Sequence, residues 1–337
     1  DTHTSVPSSG RIFPAGTGGA SVKKIPVIAV AGPTASGKTA LAVEIAKEFG
    51  GEIVSCDSMQ IYKDLSVGTA RPTEEEMQSI PHHLVGFARL RDDYSVADYV
   101  SDARKIIAEI HARGKVPVVC GGTGLYMDFL LGNIEFSEVK SDPALRAELK
   151  NDLDEHGPEA LHEKLRELDP ELAAKLHPNN TGRVIRAIEV CKLTGIPMSE
   201  HQRRSKEHPT PYETTWIGLC FSDRETLYAR INRRTEEMLK SGLLDEARLL
   251  LEQGGSGTVM QAIGYKELFP YLRGEQTLAE ASEILKQETR RYAKRQLTWF
   301  RRNDAIQWYF VDAYPDAVSL REAVFNDLRK KGFGEKA

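Results

Sequence analysis

Gly32-Pro-Thr-Ala-Ser-Gly37-Lys38-Thr39 satisfies the pattern G-x-x-x-x-G-K-[ST] at every position. It stands between a short apolar run, Ile25–Ala31, and an amphipathic stretch, Lys38–Phe49. Strand, glycine-containing loop and helix in that order are the context a phosphate-binding loop requires. Successive backbone N–H groups converge on an anion, the helix N-terminus adds partial positive charge, and the lysine adds a full one. Gly32, Thr34, Ala35, Ser36, Gly37, Lys38 and Thr39 are therefore expected to cradle a diphosphate or triphosphate. The Thr39 hydroxyl is placed to ligate Mg2+. The same cradle serves kinases, hydrolases and other transferases, so it does not name a reaction. Val116–Cys120 runs into Gly121-Gly122-Thr123 with no carboxylate at its tip, which argues against a hydrolysis-driven motor.

Strand-like and helical stretches alternate from Ile25 onward. Glu52–Cys56 and Val116–Cys120 read as further strands, and Val96–His111 carries its apolar residues at helical spacing. Such alternation predicts a parallel α/β sheet covered on both faces. The fold class expected is a P-loop NTPase-like parallel sheet flanked by helices, with a helical insertion domain. Residues 25–133 and 205–312 would form the core and 134–204 the insertion, where strands vanish. Within the insertion Asp142-Pro143 opens charged helices through Leu176, and another helix spans Thr181–Leu193. Strand-like Thr214–Phe221 returns the chain to the sheet, Ser222 and Glu225 suggest a capping box, and Ile306–Val311 looks like a last strand. Residues 313–337 would be a tail, helical at best. Residues 1–24, rich in Gly, Ser, Thr and Pro, suggest a disordered leader or cloning remnant, with an organellar transit peptide as the alternative.

Composition narrows the function classes. A chain of 337 residues suits about two domains, and 40% hydrophobic residues supply a globular core. No apolar run reaches the ~18–20 residues of a membrane span. Lys and Arg total 45 against 49 Asp and Glu, a formal charge of -4, so any nucleic-acid contact must come from a local basic patch. Cys56, Cys120, Cys191 and Cys220 show no C-x-x-C spacing, which fits a reducing cytoplasmic compartment. His82 and His83 have no ligand spacing around them and read as structural.

Asp57 follows the strand after the phosphate loop, at the sheet edge where ligands sit. There it can accept a proton or help hold Mg2+ through water; the alternative is an N-cap or turn aspartate. Thr123 at the next strand tip is placed to donate to a phosphate oxygen, or to shape a turn.

Together with Asp57-Ser-Met-Gln-Ile-Tyr-Lys-Asp-Leu-Ser-Val-Gly-Thr-Ala-Arg-Pro72, Pro81-His-His-Leu84 and Gly121-Gly-Thr-Gly-Leu-Tyr126, these residues resemble the tRNA dimethylallyltransferase (tRNA isopentenyltransferase) family, in its bacterial form. Asn180–Glu189, Ala262–Glu267 and Thr289–Arg301 agree, so the resemblance runs in order from Ile25 to Asp312. It implies transfer of the dimethylallyl group from dimethylallyl diphosphate to N6 of the adenosine beside the anticodon. It further implies that the loop holds the donor's diphosphate with Mg2+ as cofactor, that Asp57 takes the N6 proton, and that Lys38 and Thr123 serve catalysis. Arg233 would be another diphosphate ligand; its alternative is a surface salt bridge. The anticodon stem-loop would be held by Asp57, Ser58, Met59, Gln60, Thr123, Gly182, Arg183, Arg186, Gln261, Gly264, Tyr265, Lys266, Arg291 and Arg295. Arg290–Arg302, basic with interleaved aromatics, suits phosphate contacts and base stacking, or else is a solvated helix face. A cytoplasmic monomer is the default. Rival readings are an adenylate isopentenyltransferase acting on AMP or ADP, a small-molecule P-loop kinase, and a non-catalytic RNA-binding module.

Overall fold

The computed structural model describes residues 23–132, 141–205 and 209–334. The expected leader, but for Lys23 and Lys24, and residues 134–140 at the start of the expected insertion lie outside the described residues. Six strands form one parallel sheet in the order β3-β2-β4-β1-β5-β6. They are β1 (Ile25–Ala31), β2 (Gly51–Ser55), β3 (His82–His83), β4 (Val116–Gly121), β5 (Tyr212–Cys220) and β6 (Gln307–Phe310). Central strands of such a sheet are covered twice, so β1 and β4 are near-continuous apolar runs, not alternating ones.

The helices pack in two layers. Tyr99, Ala103, Ile107 and Ile110 of the Val96–Ala112 helix are buried on one face of the sheet, together with Met127 and Leu130. On the other face lie Leu41, Ile45 and Phe49 of the Lys38–Phe49 helix. Beside them sit Leu320, Val324, Phe325 and Leu328 of a helix at Ala317–Lys330. What the sequence offered as a tail thus carries part of the core, each such side chain contributing about 1.5–3 kcal/mol by leaving water. A third cluster joins Tyr62 and Leu65 to Leu243, Leu250, Tyr265 and Leu268. Among the described residues, no helix is long and apolar enough to cross a membrane.

The described residues of the 134–204 stretch are helical, with a hydrophobic cluster of Leu149, Leu161, Leu165, Val184 and Ile188. Asp142 caps the first helix, its carboxylate accepting from the amides of Ala144 and Leu145. Gly157 adopts φ 85°, open to glycine but strained for other residues, and with Pro158 behind it bends the Pro143–Leu168 segment. A separate turn follows at Pro170–Ala173.

The expected Ser222–Glu225 capping box does not form. Asp223 is the N-cap of the Arg224–Lys240 helix, its carboxylate accepting from Glu225 N and Thr226 N. Ser222 instead donates through its amide and hydroxyl to Asp312, at 2.8 and 2.7 Å. Aspartate caps as well as serine, so the competition from Asp312 decides which residue holds the position.

Candidate active site

The phosphate loop leaves β1 between the tips of β4 and β5, at the carboxyl edge where the strand order reverses. Ala35 and Gly37 take positive φ, 62° and 90°, which curls the loop around its own amides. Lys38 folds back over it, Nζ donating to the Pro33 carbonyl at 3.3 Å. Burial, with the Arg234 guanidinium adding to it, holds the Lys38 pKa below the usual lysine value, against the opposing pull of Cys120 and Asp57. The Ser36 hydroxyl is buried inside the loop without a hydrogen-bond partner. A concave set of donors with an unused hydroxyl is what an incoming polyanion would satisfy.

The Arg224–Lys240 helix lays two further cations over the loop. Arg230 Nε donates to the Ala35 carbonyl at 2.9 Å, and Arg234 Nη1 to the Thr34 hydroxyl at 3.2 Å. Burial pulls the Arg234 pKa down, with Asp57 countering it. Arg233, the expected ligand, points elsewhere: it lies 3.7 Å from Glu237 with its side chain 69% exposed. Positions 230 and 234 are one turn apart and share a face, whereas 233 stands about 100° around the helix from 234. Arg234 takes the place at the loop that the sequence reading gave to Arg233.

Asp57 and Thr123 meet at the neighbouring strand tips. Cys56 N bonds the Cys120 carbonyl at 2.7 Å and Thr123 N bonds the Cys56 carbonyl at 3.3 Å. Asp57 Oδ1 accepts from the amides of Met59 and Gln60, which fixes the carboxylate, while the Ser58 amide donates to Thr123 Oγ1. Lys38, Arg234 and Tyr292 all lie within electrostatic reach of Asp57. Burial raises the Tyr292 phenol, with Asp57 adding to the shift and Arg295, Gln296 and Thr123 opposing it.

Gln296 is a residue the sequence reading passed over. Its Oε1 accepts from Thr34 N at 2.9 Å, and its Nε2 donates to the Gly122 carbonyl at 3.0 Å. One buried amide therefore ties the phosphate loop to the Gly121–Thr123 turn. A side chain at 122 would stand 2.2 Å from that amide, so the tie needs glycine there. Nothing in the composition of Arg290–Arg302 marks Gln296 apart from its neighbours.

The residues expected to grip RNA divide by what already holds them. Gly182, Arg183, Gln261, Arg291 and Arg295 are exposed. Lys266 is half-buried beside Glu267. Arg186 is tied to the buried Glu189 at 2.6 Å, and Arg146 pairs with the same carboxylate at 3.1 Å. Arg291 pairs with Glu288 and Arg295 lies over the Tyr292 ring. Tyr265 is 1% exposed, its hydroxyl donating to Glu246, so it packs inside. Glu246 also accepts from the amides of Ser66, Val67 and Gly68, bracing the segment after Asp57. Gly264, at φ 107°, turns the chain into that buried tyrosine. Gln60 spends its amide internally on Ser55, Thr69 and Ala70, leaving Ser58 and Met59 as the half-buried neighbours of Asp57. Of the expected stacking aromatics, Phe300 is buried. Trp299 donates to Asp128 beneath Arg302.

The arrangement couples an anion cradle to a fixed carboxylate, which suits group transfer with a phosphate leaving group and proton removal from the acceptor. Among the described residues no group of three or more His, Cys, Asp or Glu side chains could hold a metal ion. A divalent cation here would be held by the Thr39 hydroxyl with the diphosphate and water, an all-oxygen set that suits Mg2+.

Comparison with known proteins agrees in extent. The family model for IPP transferase matches residues 60–303. A tRNA dimethylallyltransferase of Caldanaerobacter subterraneus is 47% identical over 310 residues, 91% of this chain and 98% of that protein. The one from Bacillus subtilis is 45% identical over 309 residues, with the same coverage. Among solved structures, the tRNA isopentenylpyrophosphate transferase of Bacillus halodurans superposes with TM-score 0.69 at 42% identity, covering 91% of this chain and 97% of that one. A eukaryotic dimethylallyltransferase captured acting on tRNA gives TM-score 0.76 at 30% identity, covering 91% of this chain and 80% of its own.

Proposed function

We infer the mechanism from one premise: the chain belongs to the IPP transferase family. It is a prenyl-group transferase that moves the dimethylallyl group of dimethylallyl diphosphate to N6 of the adenosine beside the anticodon of tRNA. The observation that carries the assignment of roles is the meeting of two devices at one sheet edge. Lys38, Arg230 and Arg234 surround an anion loop, and Asp57 sits fixed within electrostatic reach of two of those cations.

In the proposed step the adenine N6 attacks the allylic carbon, the C–O bond to the diphosphate breaks, and pyrophosphate leaves. Lys38, Arg234 and the loop amides stabilise the charge that builds on the leaving oxygens, in a site already organised for it. Asp57, held by the Met59 and Gln60 amides, takes the N6 proton. Thr123 keeps the turn beside it in register through the Ser58 amide. Mg2+, held by Thr39 and the diphosphate, would add further neutralisation of the pyrophosphate when bound. The target base would be splayed from its loop into this cleft. Exposed Arg183, Lys294 and Arg295 would meet phosphates. A monomer acting in the cytoplasm is the state proposed, and four buried cysteines without a disulfide suit that compartment.

Incubation with radiolabelled dimethylallyl diphosphate, Mg2+, and either unmodified tRNA or AMP tests the reading. Label is expected in tRNA and absent from AMP. Label in AMP alone would make the acceptor a free nucleotide, and ATP turnover without either product would make the chain a kinase.

A further inference from the structure

Glu246 stands in the first turn of the Leu243–Gln253 helix and spends its carboxylate on two other segments of the chain. Oε1 accepts from the Ser66 amide at 2.7 Å, the Ser66 hydroxyl at 3.0 Å and the Val67 amide at 2.8 Å. Oε2 accepts from the Gly68 amide at 3.0 Å and the Tyr265 hydroxyl at 2.8 Å. A carboxylate offers about four lone-pair sites, so these donors leave nothing for a ligand. Burial alone would raise the Glu246 pKa, but the three amides and the Tyr265 hydroxyl outweigh it and hold the carboxyl below the usual glutamate value. Hydrogen bonds to a charged acceptor are the strong kind, and the tie is stiff. Tyr265 reaches it across Gly68, where a Cβ would stand 2.5 Å from the phenol.

The same contacts continue to the reacting edge of the sheet. Thr69 Oγ1 donates back to the Leu65 carbonyl at 2.9 Å, and Ala70 follows at φ 50°, a strained conformation for alanine. Gln60 Nε2 donates to the carbonyls of Thr69 and Ala70, both at 3.2 Å, and the Gln60 amide donates to Asp57 Oδ1 at 3.2 Å. At the other end, Tyr265 belongs to residues 261–266, where Gln261 is exposed and Lys266 half-buried. An unbroken set of contacts joins a solvent-facing loop to the carboxylate read as the proton acceptor. We propose that Glu246 and Tyr265 are positioning residues for the transfer: they set the 66–70 turn, and through Gln60 the Asp57 carboxylate, against the loop that meets the acceptor RNA. The proposal rests on the reading of Asp57 as proton acceptor and of residues 261–266 as an RNA contact. It gives the buried Tyr265 a part in the reaction without contact to RNA.

Single-turnover transfer from radiolabelled dimethylallyl diphosphate to tRNA, with both saturating and Mg2+ present, reads the reacting edge. Calorimetry with inorganic pyrophosphate reads the phosphate loop separately. Tyr265→Phe, which removes one hydroxyl and keeps the ring, is expected to slow transfer roughly tenfold, and Glu246→Gln by up to about 100-fold, since a misplacement of ~1 Å can cost that much. The double variant should be no slower than Glu246→Gln, because the hydroxyl acts through the carboxylate. The Kd for pyrophosphate should match the parent's in all three, and a parallel loss there would mean general loosening and overturn the proposal. Parental transfer rates in both single variants, or losses that multiply in the double one, overturn the brace while Asp57 keeps its role. Asp57→Ala at the parental rate overturns the reading beneath it instead. Should Glu246→Gln not fold, Tyr265→Phe and Gly68→Ala, whose Cβ would push the ring aside, must both show the loss, and parental rates count against the proposal.

Discussion

Arg233 and Arg234 are adjacent, equally basic and on one helix, yet only Arg234 reaches the phosphate loop. Charged hydrogen bonds of this kind contribute about 1.5–3 kcal/mol. Arg234→Ala should therefore lower kcat/KM for dimethylallyl diphosphate by roughly 10- to 100-fold. Arg233→Ala should stay within about twofold, since exposed pairs contribute little. Steady-state kinetics of the two variants side by side decide it, and equal losses would return Arg233 to the site. The sequence could not separate them, because which side of a helix meets the loop depends on what that helix packs against. Lys38, Thr39 and Asp57 were legible for the opposite reason: their spacing and their place after a strand determine where they sit. Asp57→Ala should cut kcat by about 10²- to 10⁴-fold, the range of a general base, while the Kd for tRNA measured by filter binding changes little. Loss of tRNA affinity in step with kcat would make Asp57 a gripping residue instead.

The Leu278–Phe300 helix shows the same division across a whole element. A Thr277–Glu280 capping box opens it, and its basic character is written in the sequence. Its inward face is not: Gln296 clamps two loops and Trp299 bonds Asp128, contacts made across more than 170 residues of chain. Arg290 is likewise engaged, with Asn232 at 2.7 Å. The solvent face retains Lys294 and Arg295, and Arg302 lies on Trp299 just beyond. Replacing Lys294, Arg295 and Arg302 together by Gln should weaken tRNA binding and lower the salt slope, log Kobs against log[salt], by about 2 in magnitude, near 0.7 for each lost single-strand phosphate contact. An unchanged slope would assign the grip to another surface. Arg290→Gln is the contrasting variant, expected to loosen the active site more than it alters the slope.

At the scale of the molecule, the parallel sheet was readable from strand–helix alternation, but the joining of its parts was not. The Ala317–Lys330 helix closes one face of the sheet, although its pattern alone could not say that a face was waiting for it. The helical 134–204 stretch poses a sharper case, because it buries a carboxylate. Glu189 is fully buried, and burial alone would raise its pKa. Arg186, Arg146 and the Asp142 amide outweigh burial and hold it below the usual glutamate value. A lowered native pKa contributes stability that is complete above the unfolded value, near 4.5, and is lost as pH falls through the native one. That stretch is therefore expected to lose stability below about pH 4.5, as protonation of Glu189 leaves two arginines facing a neutral acid. Glu189→Gln should destabilise it at neutral pH by about 2–3 kcal/mol, under the usual figure for a broken buried pair because the Arg146 side chain is 42% exposed. The variant should also flatten the acid limb of the profile. Urea midpoints followed by circular dichroism between pH 3 and 8 measure both, and a variant that keeps the parent's acid limb would place the titrating group elsewhere.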